Sequence, residues 1–236
     1  MDLPQRVVSE LVGTAFLLAA VVGSGIMAER LAGENTAVAL LANTVATAGA
    51  LVALILTFGG ISGAHFNPVV TICDAWQKGI SWRDAAAYIP AQIIGAIAGV
   101  GAANIMFDLP VFFTSTKPRS GPSLLLSEFV ATFGLLAVIW GCVRLQRSTI
   151  VPFAVAAYIA AAYWFTASTS FANPAVTIAR SLSDTFTGIR AADVPAFIVA
   201  QFLGGLAATA LFRWLLPPDV QVAKDVVMPH DSREDE

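Results

Sequence analysis

One six-residue pattern occurs twice in this chain and constrains its fold more than any other feature. Asn67-Pro68-Val69 and Asn173-Pro174-Ala175 are each followed by the same three residues, Val-Thr-Ile. Asn is a favoured helix N-cap, and Pro is tolerated at the first helical position because its missing N–H would have no partner there. Each copy therefore predicts the start of a helix.

The helix that follows each Asn-Pro pair is predicted to be short, ending near Lys78-Gly79 in the first copy and near Ser183-Asp184 in the second. At a rise of about 1.5 Å per residue, about ten residues cannot cross a bilayer core that requires about 20. Each segment is therefore read as a half-helix that enters the membrane and stops. Irregular backbone is tolerated at that depth only inside protein or along a water-filled cavity, so the pair predicts a pore or a substrate site.

The composition places the chain in the lipid bilayer, since 57% of its 236 residues are hydrophobic and only 12% are charged. The net charge of -3 argues against a nucleic-acid partner. The chain shows no nucleophile-and-base cluster, no metal-ligand spacing and no phosphate-binding glycine loop, so we expect no enzyme, no cofactor and no metal site.

Longer apolar segments are predicted to span the bilayer at about residues 7–28, 36–58, 82–107, 123–143, 149–165 and 194–216. Ser9-Glu10 opens the first span as Ser127-Glu128 opens the fourth, and Ala91-Gln92 matches Ala200-Gln201. An odd number of spans per half requires the second half to insert upside down. The prediction is a single all-α membrane domain over residues 1–236, with inverted halves at about 6–107 and 122–216 and a cytoplasmic tail at 217–236.

The orientation is predicted from the basic residues near the ends of the spans. With both termini in the cytoplasm, the inner side carries Arg6, Lys78, Arg83, Arg144, Arg147, Arg213, Lys224 and Arg233. The outer side carries Arg30, Lys117, Arg119, Arg180 and Arg190. The excess inside favours N- and C-termini on the cytoplasmic side.

Asn67 and Asn173 are the first candidates for function. In an inverted repeat the two half-helices can meet near the midplane, where their dipoles and the two side-chain amides offer donors to a passing oxygen. Such a site favours water or neutral hydroxylated solutes and disfavours cations. The alternative is that both residues act only as helix caps.

Three further polar residues are candidates for supporting the loops. Glu10 and Glu128 lie within or at the edge of spans, where a carboxylate is costly. They could carry protons in a coupled transporter, or accept hydrogen bonds from the backbone of the irregular loop in their own half. His65 could line the cytoplasmic mouth or bond to the loop backbone.

The run Ile61-Ser62-Gly63-Ala64-His65-Phe66-Asn67-Pro68 and the second Asn-Pro-Ala, with Glu10, Glu128, Gln92 and Gln201, resemble the signature positions of the major intrinsic proteins, the aquaporin and aquaglyceroporin family. The resemblance covers about residues 6 to 216. It implies an aquaporin-like fold of six spans and two half-helices, one pore per protomer, a homotetramer in the cell membrane, and passive conduction of water or small neutral solutes.

The departures from that family are informative. Val69 stands where the first motif usually ends in Ala, a change predicted to add slight bulk to the pore wall. Val176 stands where most members have an Arg that forms the outer constriction. The resemblance, carried over by counting back from each Asn, implies that Thr47, Ala161 and Ser170 complete the same ring, which predicts a wide, weakly polar, uncharged constriction. Arg180, four residues after Val176 on the same helical face, could reach the pore mouth or lie at the surface.

A bacterial subgroup associated with arsenic resistance is similar in lacking this Arg, which suggests permeation by neutral arsenite. The leading hypothesis is a passive channel for polyols, metalloid hydroxides and water. A mainly water-conducting channel is the nearer alternative. A secondary active transporter is the alternative from a different class, since discontinuous helices serve those proteins too.

Overall fold

Eight α-helices occupy residues 1–216, the part of the chain that this computed structural model describes; the predicted tail, 217–236, lies outside it. They are α1 (Leu3–Leu31), α2 (Thr36–Ser62), α3 (Pro68–Gln77), α4 (Trp82–Met106), α5 (Pro122–Arg144), α6 (Val151–Phe165), α7 (Pro174–Arg180) and α8 (Val194–Leu215). All except α3 and α7 give a helical segment long and apolar enough to cross a membrane. The prediction of six spans and two half-helices is confirmed.

The half-helices α3 and α7 begin directly after their asparagines. Asn67 Oδ1 accepts a hydrogen bond from the Val69 N–H at 2.9 Å, and Asn173 Oδ1 accepts one from the Ala175 N–H at 2.9 Å. Asn173 Oδ1 also accepts from the Val176 N–H at 3.3 Å, so the side chains satisfy N–H groups that a helix start leaves without a partner. The motif caps the helix as its sequence predicts.

Helix α7 ends at Arg180, earlier than the predicted end near Ser183-Asp184. The segment between the two halves forms hydrogen bonds with the backbone that follows α7. The Ser115 N–H donates to the Ser181 carbonyl at 2.9 Å, and the Phe113 N–H donates to the Leu182 carbonyl at 3.0 Å. Those carbonyls accept from another segment, so the helix does not continue. The connecting segment is thereby hydrogen-bonded to the backbone that follows α7.

Within each half, the first and last spans approach closely at glycines. A Cβ at Gly99 of α4 would lie 2.1 Å from the Ala15 carbonyl oxygen of α1, and one at Gly95 would lie 2.2 Å from that of Leu11. Gly204 of α8 has the same relation to Phe129 of α5, at 2.3 Å. Small residues at these positions let the helix backbones touch, as is typical of helix pairs in membranes.

Candidate solute pathway

Glu10 holds the loop that precedes the first half-helix. Its Oε1 accepts hydrogen bonds from the Ser62 hydroxyl at 2.6 Å and the His65 N–H at 3.0 Å, and its Oε2 accepts from the Phe66 N–H at 2.7 Å. Gln92 Nε2 donates to the same Oε2 at 2.8 Å and also to Thr71 Oγ1 of α3. The fully buried carboxylate therefore ties the loop and α3 to helices α1 and α4.

Glu128 does the same in the second half. It accepts from the N–H groups of Phe171 and Ala172, both at 2.9 Å, and from Gln201 Nε2 at 2.6 Å, while Gln201 Nε2 also donates to Thr177 Oγ1. The two backbone N–H bonds and the glutamine bond are the same in both networks, whereas the bond from the Ser62 hydroxyl to Glu10 has no counterpart among the bonds of Glu128 within residues 1–216. Both carboxylates lie behind the loops, and neither lines the central cavity described below.

The two loops share an unusual backbone conformation. Ala64 and Phe66 in the first loop, and Ser170 and Ala172 in the second, have φ between 48° and 52°. Non-glycine residues rarely adopt this left-handed region, which costs of order 1–3 kcal/mol each. The loops keep it because each buried carboxylate accepts two successive N–H groups from its loop.

The two asparagines also bind each other's loop across the centre of the molecule. Asn67 Nδ2 donates to the Ala172 carbonyl at 2.8 Å, and Asn173 Nδ2 donates to the Phe66 carbonyl at 2.7 Å. An Nδ2 group carries two N–H donors, and each asparagine uses one of them here. Within residues 1–216, the second N–H donor of each side chain has no acceptor at the point where the half-helices meet.

A central cavity of about 80 Å³ runs past this point. Its lining comes from two sources. The spanning helices contribute mainly aliphatic side chains: Leu17, Val21, Leu51, Ile55, Leu135, Ile139, Val155 and Ile159. The loops and half-helices contribute Ala64, His65, Phe66, Asn67, Val70, Ser170, Phe171, Ala172, Asn173, Val176 and Arg180.

Three of the predicted constriction residues, Thr47, Ser170 and Val176, line this cavity, whereas Ala161 does not. Ala161 is exposed on the outer face of α6. At about 100° per residue, positions 155, 159 and 163 share one face of the helix and position 161 lies opposite. The prediction for Ala161 is therefore corrected to Tyr163, whose hydroxyl donates to Thr47 Oγ1 at 3.3 Å.

Arg180 lines the same cavity and is only 3% exposed, so the surface alternative is wrong. Its guanidinium lies 3.4 Å from the centre of the Phe171 ring, and its Nε donates to the Thr187 carbonyl at 2.5 Å. The predicted uncharged, small-sided ring is thus also corrected. The cavity lining has Val176 where most family members have an Arg, but Arg180, one helical turn later, contributes an arginine side chain to it. Tyr163 adds an aromatic ring.

His65 lines the opposite part of the cavity and also packs against α3 and α4. Its Nδ1 lies 3.1 Å from Thr71 Oγ1, its Nε2 lies 3.7 Å from Asp74 Oδ2, and its ring meets Tyr88 edge-on. The His65 side chain thus lines the cavity and contacts side chains of α3, while its backbone N–H donates to Glu10.

A model of the family described as "Major intrinsic protein" matches residues 1–170 and 143–234 of this chain. The chain belongs to the major intrinsic protein family. It is 54% identical over 217 residues to the aquaglyceroporin AqpS of Rhizobium meliloti (strain 1021), covering 92% of each protein. It is 32% identical over 192 residues to aquaporin NIP1-3 of Oryza sativa subsp. japonica, covering 78% of this chain and 66% of that relative.

The same fold occurs in the X-ray structure of the aquaglyceroporin from Plasmodium falciparum. That structure matches with a TM-score of 0.68 at 17% sequence identity, over 92% of this chain and 98% of that one. The family resemblance noted from the paired motifs is confirmed. As a major intrinsic protein, the chain is a multi-pass membrane protein of a channel family.

The structure explains why the first motif ends in Val69, where the family usually has Ala. Val69 is fully buried and is not among the residues that line the central cavity, so the predicted bulk in the pore wall is wrong. It points instead at α8, where a Cβ on Gly205 would lie 2.3 Å from Val69 Cγ1. In the other half of this major intrinsic protein, Ala175 and Ala96 hold the corresponding positions. The larger motif residue is thus matched by a glycine on the facing helix.

Gly205→Ala is expected to destabilise the protein by about 1–3 kcal/mol, because the added methyl overpacks the contact with Val69. Val69→Ala in the same chain should recover most of that loss. The measurement is the thermal unfolding temperature of the purified protein in detergent. Gly60→Ala is the control, since a Cβ there meets nothing within 4 Å. An unchanged unfolding temperature in Gly205→Ala, or no recovery in the double variant, would contradict this packing.

Proposed function

We propose that this chain is a passive channel for small neutral solutes, namely glycerol and related polyols, metalloid hydroxides such as arsenite, and water. The observation that carries the proposal is the two-sided lining of the central cavity. Aliphatic side chains from four spanning helices face loops that carry asparagine amides and a serine hydroxyl. A polyol has the matching shape, with a C–H edge and an O–H edge.

The polar side of the cavity offers hydrogen bonds that replace those a neutral solute loses when it leaves water. Asn67 and Asn173 each keep one N–H donor, and the buried Ser170 Oγ has no hydrogen-bond partner within residues 1–216. Such groups select for oxygen-bearing solutes. The name of the 54% identical relative, an aquaglyceroporin, supports the same solute class.

Charge at the pathway disfavours cations. The half-helices direct their positive dipole ends to the asparagines, and Arg180 adds a full positive charge at the outer end of the cavity. A permeating cation would meet both without a compensating carboxylate, because no Asp or Glu within residues 1–216 lines this cavity. Neutral solutes do not meet this barrier.

A mainly water-selective channel is the second candidate, and one observation favours it. Tyr163, whose hydroxyl lies 3.3 Å from Thr47 Oγ1, adds a large aromatic side chain to the lining of the central cavity. A secondary active transporter is less well supported. Its expected carriers, Glu10 and Glu128, lie behind the loops with hydrogen bonds to both oxygens.

The deciding experiment is stopped-flow light scattering on proteoliposomes. Shrinkage under a sucrose gradient reports water flux, re-swelling reports glycerol flux, and arsenite uptake is measured in the same preparation. We expect water, glycerol and arsenite all to pass, at rates independent of proton and sodium gradients. Water flux without glycerol or arsenite would favour the second candidate, and strict coupling to an ion gradient would reject both channels.

We further propose a homotetramer in the inner membrane of the cell, with both termini in the cytoplasm. The family membership supports the assembly, and the basic residues at the span ends support the orientation. Chemical crosslinking of the protein in native membranes should give a ladder that ends at four copies. Protease added from outside should leave the C-terminal segment intact.

A further inference from the structure

A second opening of about 240 Å³ lies outside the central cavity and shares Arg180 with it. We call it the outer vestibule. Its lining includes Thr36 and Asn43 from the first half, Thr169 from the second loop, and the cations Lys117, Arg119 and Arg180. Three positive side chains thus surround one small opening, and no Asp or Glu within residues 1–216 lines it.

The carboxylates on the neighbouring loops have other partners. Asp184 accepts hydrogen bonds from the Thr116 N–H at 2.9 Å and from the hydroxyls of Thr116 and Ser115. Asp193 accepts from the Arg119 N–H at 2.8 Å and from Arg190 at 2.9 Å. These two carboxylates bind groups of the loops and do not line the opening, so they do not neutralise the cations there.

The two guanidiniums are fixed by the same aromatic ring. Arg180 lies 3.4 Å and Arg119 4.9 Å from the centre of Phe171, which itself packs edge-on against Phe197. Arg119 is also held by bonds from Nε to the Gly188 carbonyl and from Nη1 to the Ser168 carbonyl. These contacts hold both guanidiniums beside the Phe171 ring.

Several of their donors are left unused by the protein. Among residues 1–216, no hydrogen-bond acceptor is found for Arg119 Nη2 or for Nη1 and Nη2 of Arg180; the bonds of these side chains use Nε in both and Nη1 in Arg119. Lys117 Nζ donates to the carbonyls of Thr185 and Phe186. Guanidinium N–H groups bind the oxygens of carboxylates and other oxyanions with favourable geometry.

The cations also disfavour one another. The pKa of Lys117 is lowered, first by burial and further by the charges of Arg119 and Arg180, while Glu29 and Asp184 act in the opposite direction. A bound anion would relieve this repulsion. A neutral polyol would accept hydrogen bonds but would leave the repulsion in place.

We propose that the outer vestibule is a binding site for a small monovalent oxyanion, held by Arg180, Arg119 and Lys117. Because Arg180 also lines the central cavity, the bound anion sits in the path of solutes and slows their uptake from outside. The slowing rests on the proposed channel function, whereas the binding does not. The three cationic donors around the opening match the oxygens of one carboxylate or sulfonate group.

The test compares sodium methanesulfonate with sodium chloride at equal ionic strength, so that screening alone makes no difference. Methanesulfonate stays ionised and does not cross the bilayer as an acid. Binding is read from the thermal unfolding of the purified protein, and blocking is read from glycerol uptake by proteoliposomes. We expect methanesulfonate to raise the unfolding temperature and to slow glycerol uptake, each in a saturable manner.

Lys117→Gln and Arg119→Gln should each raise the half-saturating methanesulfonate concentration about tenfold or more, since each removes a charged donor. Arg30→Gln is the matched control: Arg30 also stacks on an aromatic ring, Phe107, and donates to a backbone carbonyl, but does not line the vestibule. If Arg119→Gln does not fold, Lys117→Gln decides.

Equal responses to the two salts, or the same methanesulfonate response in Lys117→Gln as in the parent, would overturn the site. If glycerol does not enter in either salt, the proposed channel function fails, and the unfolding measurement still decides whether the anion binds.

Discussion

Glu128→Ala is expected to destabilise the folded protein by about 3–5 kcal/mol and to lower its yield in detergent severely. The change leaves the buried N–H groups of Phe171 and Ala172 and the amide of Gln201 without their acceptor. Each such loss costs about 1–3 kcal/mol. The left-handed residues of the second loop would lose the contacts that hold them in place. Size-exclusion profiles and thermal unfolding of the purified variant measure the effect.

Glu128→Gln should be intermediate, because its remaining carbonyl oxygen still accepts one of these bonds while its NH₂ group faces donors. Glu29→Ala is the matched control, since Glu29 is an exposed carboxylate on the outer end of α1. A Glu128→Ala protein with parental yield and unfolding temperature would show that the carboxylate does not support the loop. Loss of ion-coupled uptake by a well-folded Glu128→Gln would instead favour the transporter alternative.

Val176→Arg is expected to reduce glycerol flux by on the order of tenfold while reducing water flux less, because the longer side chain enters a narrow passage. Val176 lines the central cavity together with Arg180, one helical turn away. The new guanidinium would therefore add bulk and a second positive charge at the outer end. Re-swelling of proteoliposomes under glycerol, compared with shrinkage under sucrose, measures the change in selectivity.

Val176→Met separates the two effects, since methionine adds length without charge. If methionine reproduces the loss, bulk alone is responsible; if only arginine does, the charge contributes. Unchanged glycerol and arsenite flux in Val176→Arg would mean that residue 176 does not face the solute path.

The sequence predicts the six spans, the half-helices and the loop supports because each depends on a local or repeated signal. Both Asn-Pro pairs of this chain begin a helix, and the duplication of Glu10 and Gln92 as Glu128 and Gln201 indicates equivalent contacts in the two halves. The bonds from each glutamine to the carboxylate and to the threonine of the half-helix are indeed the same in the two halves.

The constriction was harder to predict, for reasons that differ between residues. Counting back from Asn173 gives Ala161 and not Tyr163. In α6 the side chain at position 161 points away from the face that Val155, Ile159 and Tyr163 share, and the structure shows that this shared face lines the cavity. The position of Arg180 in the cavity lining depends on where α7 ends and on the contact of the guanidinium with Phe171, and the sequence reports neither. The contact of Val69 with Gly205 joins residues far apart in sequence, and no local pattern reports which helix a buried valine will face.

The crossed bonds of the two asparagines bear on the order in which the molecule assembles. The Phe66 carbonyl accepts from Asn173, and the Ala172 carbonyl accepts from Asn67, so each half supplies a donor to the other. During synthesis the first three spans enter the bilayer before Asn173 is made. The Phe66 carbonyl of the first loop can therefore gain its bond from Asn173 only after the second half has been inserted. The conducting path is therefore a product of the last steps of folding, and a chain truncated before α7 would be a membrane protein without a finished pore.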